Sequence, residues 1–208
     1  MPLQNRCLPD GEIVAMNWRG TFMGNRGGRL HDPHTRCLLN HRWASKRWII
    51  CVTEFKDRQR DVMGKGYTEL FFLDEVSALA TGHRPCFECR RESANRFADL
   101  WRQVHGIKGS KIADKMDAEL HAQRLSQKSV LNPDECGKLP DGAMVSDENH
   151  FLAIKDGQFW CWSGDGYSPS SVPDKEVKLL TPKSILKLFE AGFEPVWHPS
   201  VGGDHGNS

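Results

Sequence analysis

Two cysteines, Cys86 and Cys89, stand two residues apart in the stretch GHRPCFECRR of residues 82–91. A two-residue gap lets both thiolates bind one tetrahedral zinc ion at about 2.3 Å. The same spacing suits a redox dithiol, because neighbouring arginines and a following helix lower the pKa of a cysteine. Burial of two ordinary thiols is the third interpretation. The chain has seven cysteines, an odd number in a protein too long to need disulfides, and this favours a zinc half-site.

A zinc site built on this pair needs two further ligands from elsewhere in the chain. The upstream candidates are His31, His34, Cys37, His41 and Cys51. We expect His31 and Cys51 to complete the site, with Cys37 as the next choice. Cys51 falls in a predicted strand, and His31 falls in a glycine-rich turn from which a side chain can reach a metal. In the alternative interpretation His31 is a solvated surface residue and Cys51 packs in the core.

The stretch RGTFMGNRGGRLHDPH, residues 19–34, is rich in glycine and arginine. Glycines expose backbone N–H groups and arginine pairs bidentately with phosphate, so this composition suits phosphate binding. Together with the arginines beside the cysteine pair, it predicts phosphate or nucleic-acid contacts from Arg19, Arg26, Arg29, Arg84, Arg90 and Arg91. A glycine-rich turn with solvated arginines is the alternative, and neither a Walker pattern nor G-x-G-x-x-G is present.

The charge of the chain is distributed unevenly. The net charge is +1, but residues 132–208 carry twelve acidic and six basic side chains, and the basic excess is densest in residues 17–60. Such asymmetry predicts an anionic partner for the first half, while two solvated surfaces that balance each other are the alternative. No apolar run is long enough to span a membrane and no secretory signal is visible, so we expect no membrane partner and a cytoplasmic location.

Strands and short helices must position these side chains. The runs WIICV (48–52) and YTELFFL (67–73) predict strands, and Asp74 can cap a helix that ends at Gly82. In the second half EVKLL (176–180) predicts a strand, followed by a helix that Thr181 would cap and Gly192 would end. A further helix is predicted over residues 91–105, and an amphipathic linking helix over 111–130.

Short repeats connect the two halves of the chain. LPDGEIVAMNW (8–18) is echoed by LPDGAMVSDEN (139–149), and an offset of 110 residues pairs Cys51 with Cys161 and Gly82 with Gly192. The sequence therefore predicts an α+β fold with two small related β-rich lobes, each ending in a short helix, joined by the amphipathic helix. We assign residues 1–106 to a zinc-binding lobe, 107–138 to the linking helix, 139–200 to a degenerate second lobe and 201–208 to a disordered tail.

The stretch FFLDEVSALATGHRPCFECRR (71–91) resembles the second half of the Ada-type metal-binding domain of bacterial DNA-repair proteins. The matching positions are Ala80, Gly82, Arg84, Pro85, Cys86 and Cys89, with His83 where the family has an aromatic residue. The resemblance covers about a tenth of the chain. It implies a small α/β zinc module close to DNA, in which an upstream zinc-bound cysteine accepts a methyl group. The family's upstream Cys-x3-Cys pair is absent here, so no residue is assigned as the methyl acceptor.

The expected function is that of a zinc-binding protein whose basic first lobe binds nucleic acid or another phosphate-bearing ligand, with zinc in a mainly structural role. A zinc-dependent enzyme acting on an anionic substrate is the first alternative, in which three protein ligands leave one position open. A protein-interaction module is the second. No G-x-S-x-G, H-E-x-x-H or kinase signature is present, which leaves the question of enzymatic activity undecided at the level of sequence.

Overall fold

The computed structural model of the protein describes residues 1–59 and 61–202. In this part of the chain twelve strands form two six-stranded sheets, accompanied by five helices. The fold is therefore of the mixed α+β type that the sequence predicts. None of the helices in the described residues combines the length and the apolar character that crossing a bilayer requires.

The first sheet carries the strand predicted for WIICV. Its strands are β1 Arg6–Cys7, β2 Ile13–Val14, β3 Phe22–Arg26, β4 Trp48–Val52, β5 Leu70–Phe72 and β6 Arg84–Pro85, in the order β2-β1-β5-β3-β4-β6. The central strand β3 pairs antiparallel with both β4 and β5. The short strand β6 lies parallel to β4 at the sheet edge. An apolar, β-branched run such as β4 suits this inner position, where both of its edges are paired.

The second sheet is formed by the C-terminal part of the chain. Its strands are β7 Val130–Leu131, β8 Met144–Ser146, β9 Phe151–Lys155, β10 Gln158–Ser163, β11 Gly166–Ser170 and β12 Val177–Leu179, in the order β11-β10-β9-β8-β12-β7. Successive strands β8 to β11 form an antiparallel meander. β12 then returns to pair antiparallel with β8 and β7.

A continuous apolar core joins the two sheets. The helices are α1 Glu75–Ala80, α2 Arg91–His105, α3 Ile112–Leu125, α4 Pro133–Cys136 and α5 Lys183–Glu190. Helix α2 contacts α3, α5 and strand β6. Its buried face contributes Phe97 and Trp101, which pack in one cluster with Phe72 of the first sheet and Val145 of the second. The two halves therefore share their main hydrophobic core.

Helix α1 begins and ends at the predicted residues. The Asp74 carboxylate accepts a hydrogen bond from the Ser77 backbone N–H at 2.9 Å, and the Ser77 hydroxyl oxygen accepts one from the Asp74 N–H, which forms a capping box. Gly82 follows the helix with a φ of +80°, a conformation that glycine adopts without steric cost. This turn directs the chain into β6 and the cysteine pair.

The predicted repeat is found in only part of the fold. A strand, a short helix and a glycine with positive φ follow one another in both halves, as β5, α1 and Gly82 and as β12, α5 and Gly192. Cys51 and Cys161 do not occupy equivalent positions in the two sheets. The strand of Cys51, β4, lies two places from β5 in the first sheet, whereas the strand of Cys161, β10, lies three places from the equivalent strand β12 in the second. Thr181 is not the cap of α5 but accepts a hydrogen bond from the Met144 N–H within the core.

The predicted linking helix is present as α3, but it is more than a connection. It packs against α2 and α5, and its buried residues Ile112, Met116 and Leu120 belong to the shared core. Leu125, which the periodicity places on the apolar face, is exposed at the helix end. In the predicted disordered tail Val201 is buried, and residues 203–208 lie outside the described part of the chain.

Candidate metal centre

Three cysteine thiols from separate elements converge beside the first sheet. Cys51 lies in β4, Cys86 directly follows β6, and Cys89 lies in the turn before α2. Because β4 and β6 are parallel neighbours, the Cys86 N–H donates to the Ile50 carbonyl at 2.9 Å, and this holds Cys86 beside Cys51. The three sulfur atoms lie within 4.8 Å of one another.

The spacing of the thiols fits a metal ion. Bonds of about 2.3 Å at tetrahedral angles separate two sulfur ligands by about 3.8 Å, and three thiols that lie within 4.8 Å of one another are close enough to reach this spacing. The structure thus brings Cys51 together with the predicted pair Cys86 and Cys89, close enough to hold an ion. Within the described residues the group contains no histidine or carboxylate. Soft thiolate ligands of this kind suit zinc and Cu(I) better than magnesium or calcium.

The thiols influence one another's protonation strongly. Hydrogen bonds from the Cys51 and Cys89 thiols, together with those from the backbone N–H groups of Glu88 and Cys89, hold the pKa of Cys86 far below its usual range. The hydrogen bonds that the Cys51 thiol donates to Cys86 and Cys89, together with burial, raise the pKa of Cys51. Without a cation these hydrogen bonds favour ionisation of Cys86 and disfavour ionisation of Cys51. A bound divalent cation would favour release of the remaining protons.

The group opens on a cavity of about 380 Å³. Ile49, Phe55 and Tyr67 form the apolar part of its wall, and Asn25, Arg58 and Glu88 form the polar part. Arg58 and Glu88 make an exposed ion pair of 2.6 Å at this cavity. A fourth ligand to an ion held by the three cysteines could therefore come from a molecule in the cavity.

His31 does not join the three cysteines, and its prediction as a ligand is corrected. Its Nε2 lies 2.8 Å from the Gly64 carbonyl oxygen and its Nδ1 lies 2.6 Å from the Thr68 hydroxyl. Because a carbonyl can only accept, Nε2 carries the proton and Nδ1 accepts from Thr68. Both nitrogens are thereby engaged in holding the loop around Leu30, whose N–H donates to the same hydroxyl. Cys37, the next candidate, is exposed and outside the group.

Three of the six arginines predicted to contact phosphate lie in the interior. Arg26 is only 2% exposed and donates to the Gly11 carbonyl at 2.8 Å and to the Cys7 sulfur at 3.1 Å. Arg84 and Arg90 are buried in ion pairs. These ion pairs make Arg84 and Arg90 unavailable to a nucleic-acid backbone, which corrects the prediction for these two residues. Arg26 is absent from the open surface and reaches only the wall of a separate cavity. Arg19, Arg29 and Arg91 are exposed as expected.

Two buried carboxylates beside the cysteine motif were not predicted. Asp117 of α3 accepts two hydrogen bonds of 2.8 Å from Arg84, and Glu75 of α1 accepts two from Arg90. Arg84 and Arg90 therefore attach the cysteine turn to two helices, and their charges are neutralised by these carboxylates. A sequence signal exists only for Glu75, whose acidic side chain falls in the first turn of a capped helix.

His83 is buried next to the cysteine turn in a setting that disfavours its charged form. The Thr81 hydroxyl donates to the Ala78 carbonyl, so His83 Nδ1 must donate to Thr81. Nε2 is buried without a partner in the described part of the chain. The imidazole packs against the rings of Trp48 and Phe72, each 4.8 Å away between centroids. Burial, followed by the charges of Arg26 and Arg124, holds the pKa of His83 well below 6.5.

This environment predicts a pH dependence of stability. The unfolded chain takes up a proton on His83 as the pH falls below 6.5, and the folded chain does not. The stability that depends on a neutral His83 is therefore fully present above this pH. As the pH falls below it, the free energy of unfolding decreases by up to about 1.4 kcal/mol per pH unit. Urea unfolding of the wild type and of His83→Phe should show a shallower acid decline in the variant. Equal declines would contradict the assignment, because all other titrating groups are shared.

No family model matches the chain, and no match was found among curated proteins or solved structures. The Ada-type resemblance thus rests on the stretch of residues 71–91 alone. Function must be inferred from the geometry of the three thiols and the cavity in front of them.

Proposed function

We propose that this protein binds one zinc ion through Cys51, Cys86 and Cys89 and presents the fourth coordination position to a small molecule in the adjacent cavity. The observation that carries the proposal is the convergence of three thiols, without a fourth protein ligand among the described residues, at the wall of a cavity of about 380 Å³. Structural zinc sites use four protein ligands, whereas sites that exchange a ligand use three. This arrangement favours the enzymatic or ligand-binding alternative over a purely structural zinc.

A zinc ion held by Cys51, Cys86 and Cys89 would act as a Lewis acid on a thiol or water molecule in the open position, and would favour its deprotonated, nucleophilic form. The chain's own residues would contribute exclusion of water and orientation. Ile49, Phe55 and Tyr67 cover the thiols with apolar surface. Arg58 and Glu88 offer one charge of each sign to polar groups of the molecule that enters. These features support a reaction in which a thiol or water molecule at the fourth coordination position is activated as a nucleophile.

The expectation that the protein binds nucleic acid through its basic first half also remains a proposal. It is supported by the exposed side chains of Arg19, Arg29 and Arg91. It is weakened by the interior positions of the other three arginines and by exposed ion pairs that neutralise neighbouring charge, such as Arg36 with Asp61 and Arg47 with Asp114. The metal centre is therefore the stronger basis for a function.

Metal analysis of the purified chain tests this proposal. We expect one zinc per chain, and a fall in zinc affinity of more than about 100-fold in Cys51→Ser and Cys86→Ser, because loss of a direct ligand should exceed the 10–100-fold cost of losing an outer-sphere partner. Cys37→Ser is the matched control, since that thiol is exposed and outside the group. Circular dichroism of each variant separates loss of the ligand from loss of the fold.

Cobalt substitution then tests the open position. Co²⁺ bound by three thiolates should show intense sulfur-to-metal absorption, and a small thiol added in excess should change this spectrum by occupying the fourth position. A spectrum that is insensitive to every added ligand would mean that the chain supplies four ligands, and would return zinc to a structural role. Protein without bound metal after purification in zinc would instead favour the redox interpretation of the cysteines.

A further inference from the structure

A second cavity, of about 470 Å³, lies elsewhere on the first half of the chain. It shares no lining residue with the cavity at the three cysteines. Its volume is within the range of small-molecule sites, which are commonly about 300–1,000 Å³. The side chains in its wall that can recognise a ligand are Arg26, Arg42, Trp43, Trp48, Asp10 and Glu12.

The guanidinium of Arg26 lies in this wall without an opposite charge bound to it. Among the described residues no carboxylate lies within ion-pair distance of Arg26, although the charge of the exposed Asp10 acts on it, and its Nε is buried without a hydrogen-bond acceptor. Its other hydrogen bonds go to a backbone carbonyl and to the Cys7 sulfur. A buried cation is costly unless it is paired. An anionic group bound in the cavity, close to Arg26 and to the exposed Arg42, would supply the missing charge.

Two indoles form the aromatic part of the same cavity. Trp48 is buried, while Trp43 is 38% exposed and its ring centroid lies 6.4 Å from that of Trp48. A large aromatic side chain left partly exposed beside arginines is typical of surfaces on which planar rings stack. The guanidinium carbons of Arg26 and Arg124 already lie over the Trp48 ring, at 4.0 and 4.2 Å from its centroid.

We infer that this second cavity binds a nucleotide, with the base against Trp43 and the phosphate at Arg26 and Arg42. The exposed carboxylates of Asp10 and Glu12 at the same cavity are acceptors for the remaining hydrogen-bond donors of such a molecule, the sugar hydroxyls or the base amino group. The inference is independent of the metal centre. A free mononucleotide and one nucleotide of a single strand both carry the base, sugar and phosphate that this cavity would recognise.

A cationic aromatic ligand is disfavoured by the same contacts. Indoles with nearby carboxylates can bind quaternary amines, but here two guanidinium groups occupy the space over Trp48. A further cation would be repelled by both. An anion gains from them, and the planar guanidinium is well suited to bidentate contact with phosphate oxygens.

Calorimetric titration of the full chain with AMP, adenosine and a short oligodeoxyadenylate tests the inference. We expect AMP to bind with a Kd of about 1 mM or below, and adenosine to bind about tenfold more weakly because it lacks the phosphate. Arg42→Ala and Trp43→Ala should each weaken AMP binding about tenfold. Tighter binding of the oligonucleotide than of AMP, lost in Trp43→Ala, would identify a single strand as the source, and the reverse order would identify the free nucleotide.

The controls are an arginine and a tryptophan that lie outside the cavity. Arg47→Ala removes an arginine that pairs with Asp114, and Trp197→Ala removes a half-buried indole of the C-terminal segment. Both should bind AMP like the wild type. Equal affinities for adenosine and AMP, wild-type binding in Arg42→Ala and Trp43→Ala, or no heat of binding at about 10 mM AMP would each overturn the inference. Because Arg42 is exposed, we expect Arg42→Ala to fold, and its AMP affinity still tests the inference if Trp43→Ala does not fold.

Discussion

Replacing Asp117 by alanine should lower the free energy of unfolding by about 3–5 kcal/mol. The Asp117 carboxylate accepts from Nε and Nη2 of Arg84, each at 2.8 Å, and the two side chains are only 4% and 6% exposed. Without Asp117 the guanidinium of Arg84 would stay buried with no counter-charge. Arg84 lies in β6, which leads directly into Cys86. We therefore expect the variant to bind zinc more weakly as well.

A second aspartate on the same helix provides the control. Asp114 also pairs with an arginine, Arg47, at 3.3 Å, but both side chains are more than half exposed. Asp114→Ala should cost only about 0–1 kcal/mol. Urea unfolding of the two variants measures the difference. Equal stabilities would show that the buried pair contributes no more than the exposed one. The double variant Arg84→Met, Asp117→Leu should recover much of the loss, because it leaves no charge unpaired.

Replacing Glu75 by alanine should have an effect of similar size, about 3–5 kcal/mol. Its carboxylate accepts from two nitrogens of Arg90, at 2.5 and 2.9 Å, and from the Val196 N–H at 3.0 Å. It is 1% exposed and Arg90 is 8% exposed. One carboxylate thus connects α1, the end of the cysteine turn and the C-terminal segment. Its removal leaves a buried guanidinium without its counter-charge and the Val196 N–H without its acceptor.

Glu88→Ala is the matched control for this variant. Glu88 lies in the same turn and pairs with Arg58 at 2.6 Å, but about half of each side chain is exposed. We expect a change in unfolding free energy of about 1 kcal/mol or less. Thermal and urea unfolding report the two effects side by side. If Glu75→Ala were as stable as Glu88→Ala, the connection between α1 and the cysteine turn would not depend on this ion pair.

The features predicted correctly from the sequence are those with local causes. Asp74 caps α1 because Ser77 lies three residues further on, and Gly82 ends the turn because its φ is positive. The strand of Cys51 follows from an apolar, β-branched run. A strand position in the same half of the chain as the cysteine pair makes Cys51 a candidate ligand, and the parallel pairing of β4 with β6 brings it beside that pair.

The failures concern residues whose surroundings are set by distant parts of the chain. Arg84 and its partner Asp117 are 33 positions apart, and nothing local distinguishes Arg84 from the exposed Arg91. His31 has the residue type of a ligand, but its nitrogens are engaged by Thr68 and Gly64, more than thirty residues later in the chain. Charge and residue type are visible in a sequence, whereas burial and pairing are decided by tertiary packing.

The pairing of β4 with β6 also has a consequence for the lifetime of the protein. Cys51 and Cys86 are 35 residues apart in the chain, so an ion held by both closes a long loop, as a disulfide would. By the loop-entropy estimate for disulfides, an ion that stayed bound to both cysteines after unfolding would restrict the unfolded chain by about 4 kcal/mol. A metal bond is reversible, and an ion that binds the folded chain more tightly than the unfolded chain stabilises it by an amount that rises with the concentration of free ion. A cell short of the metal would degrade the chain faster, and protein abundance would then report metal supply.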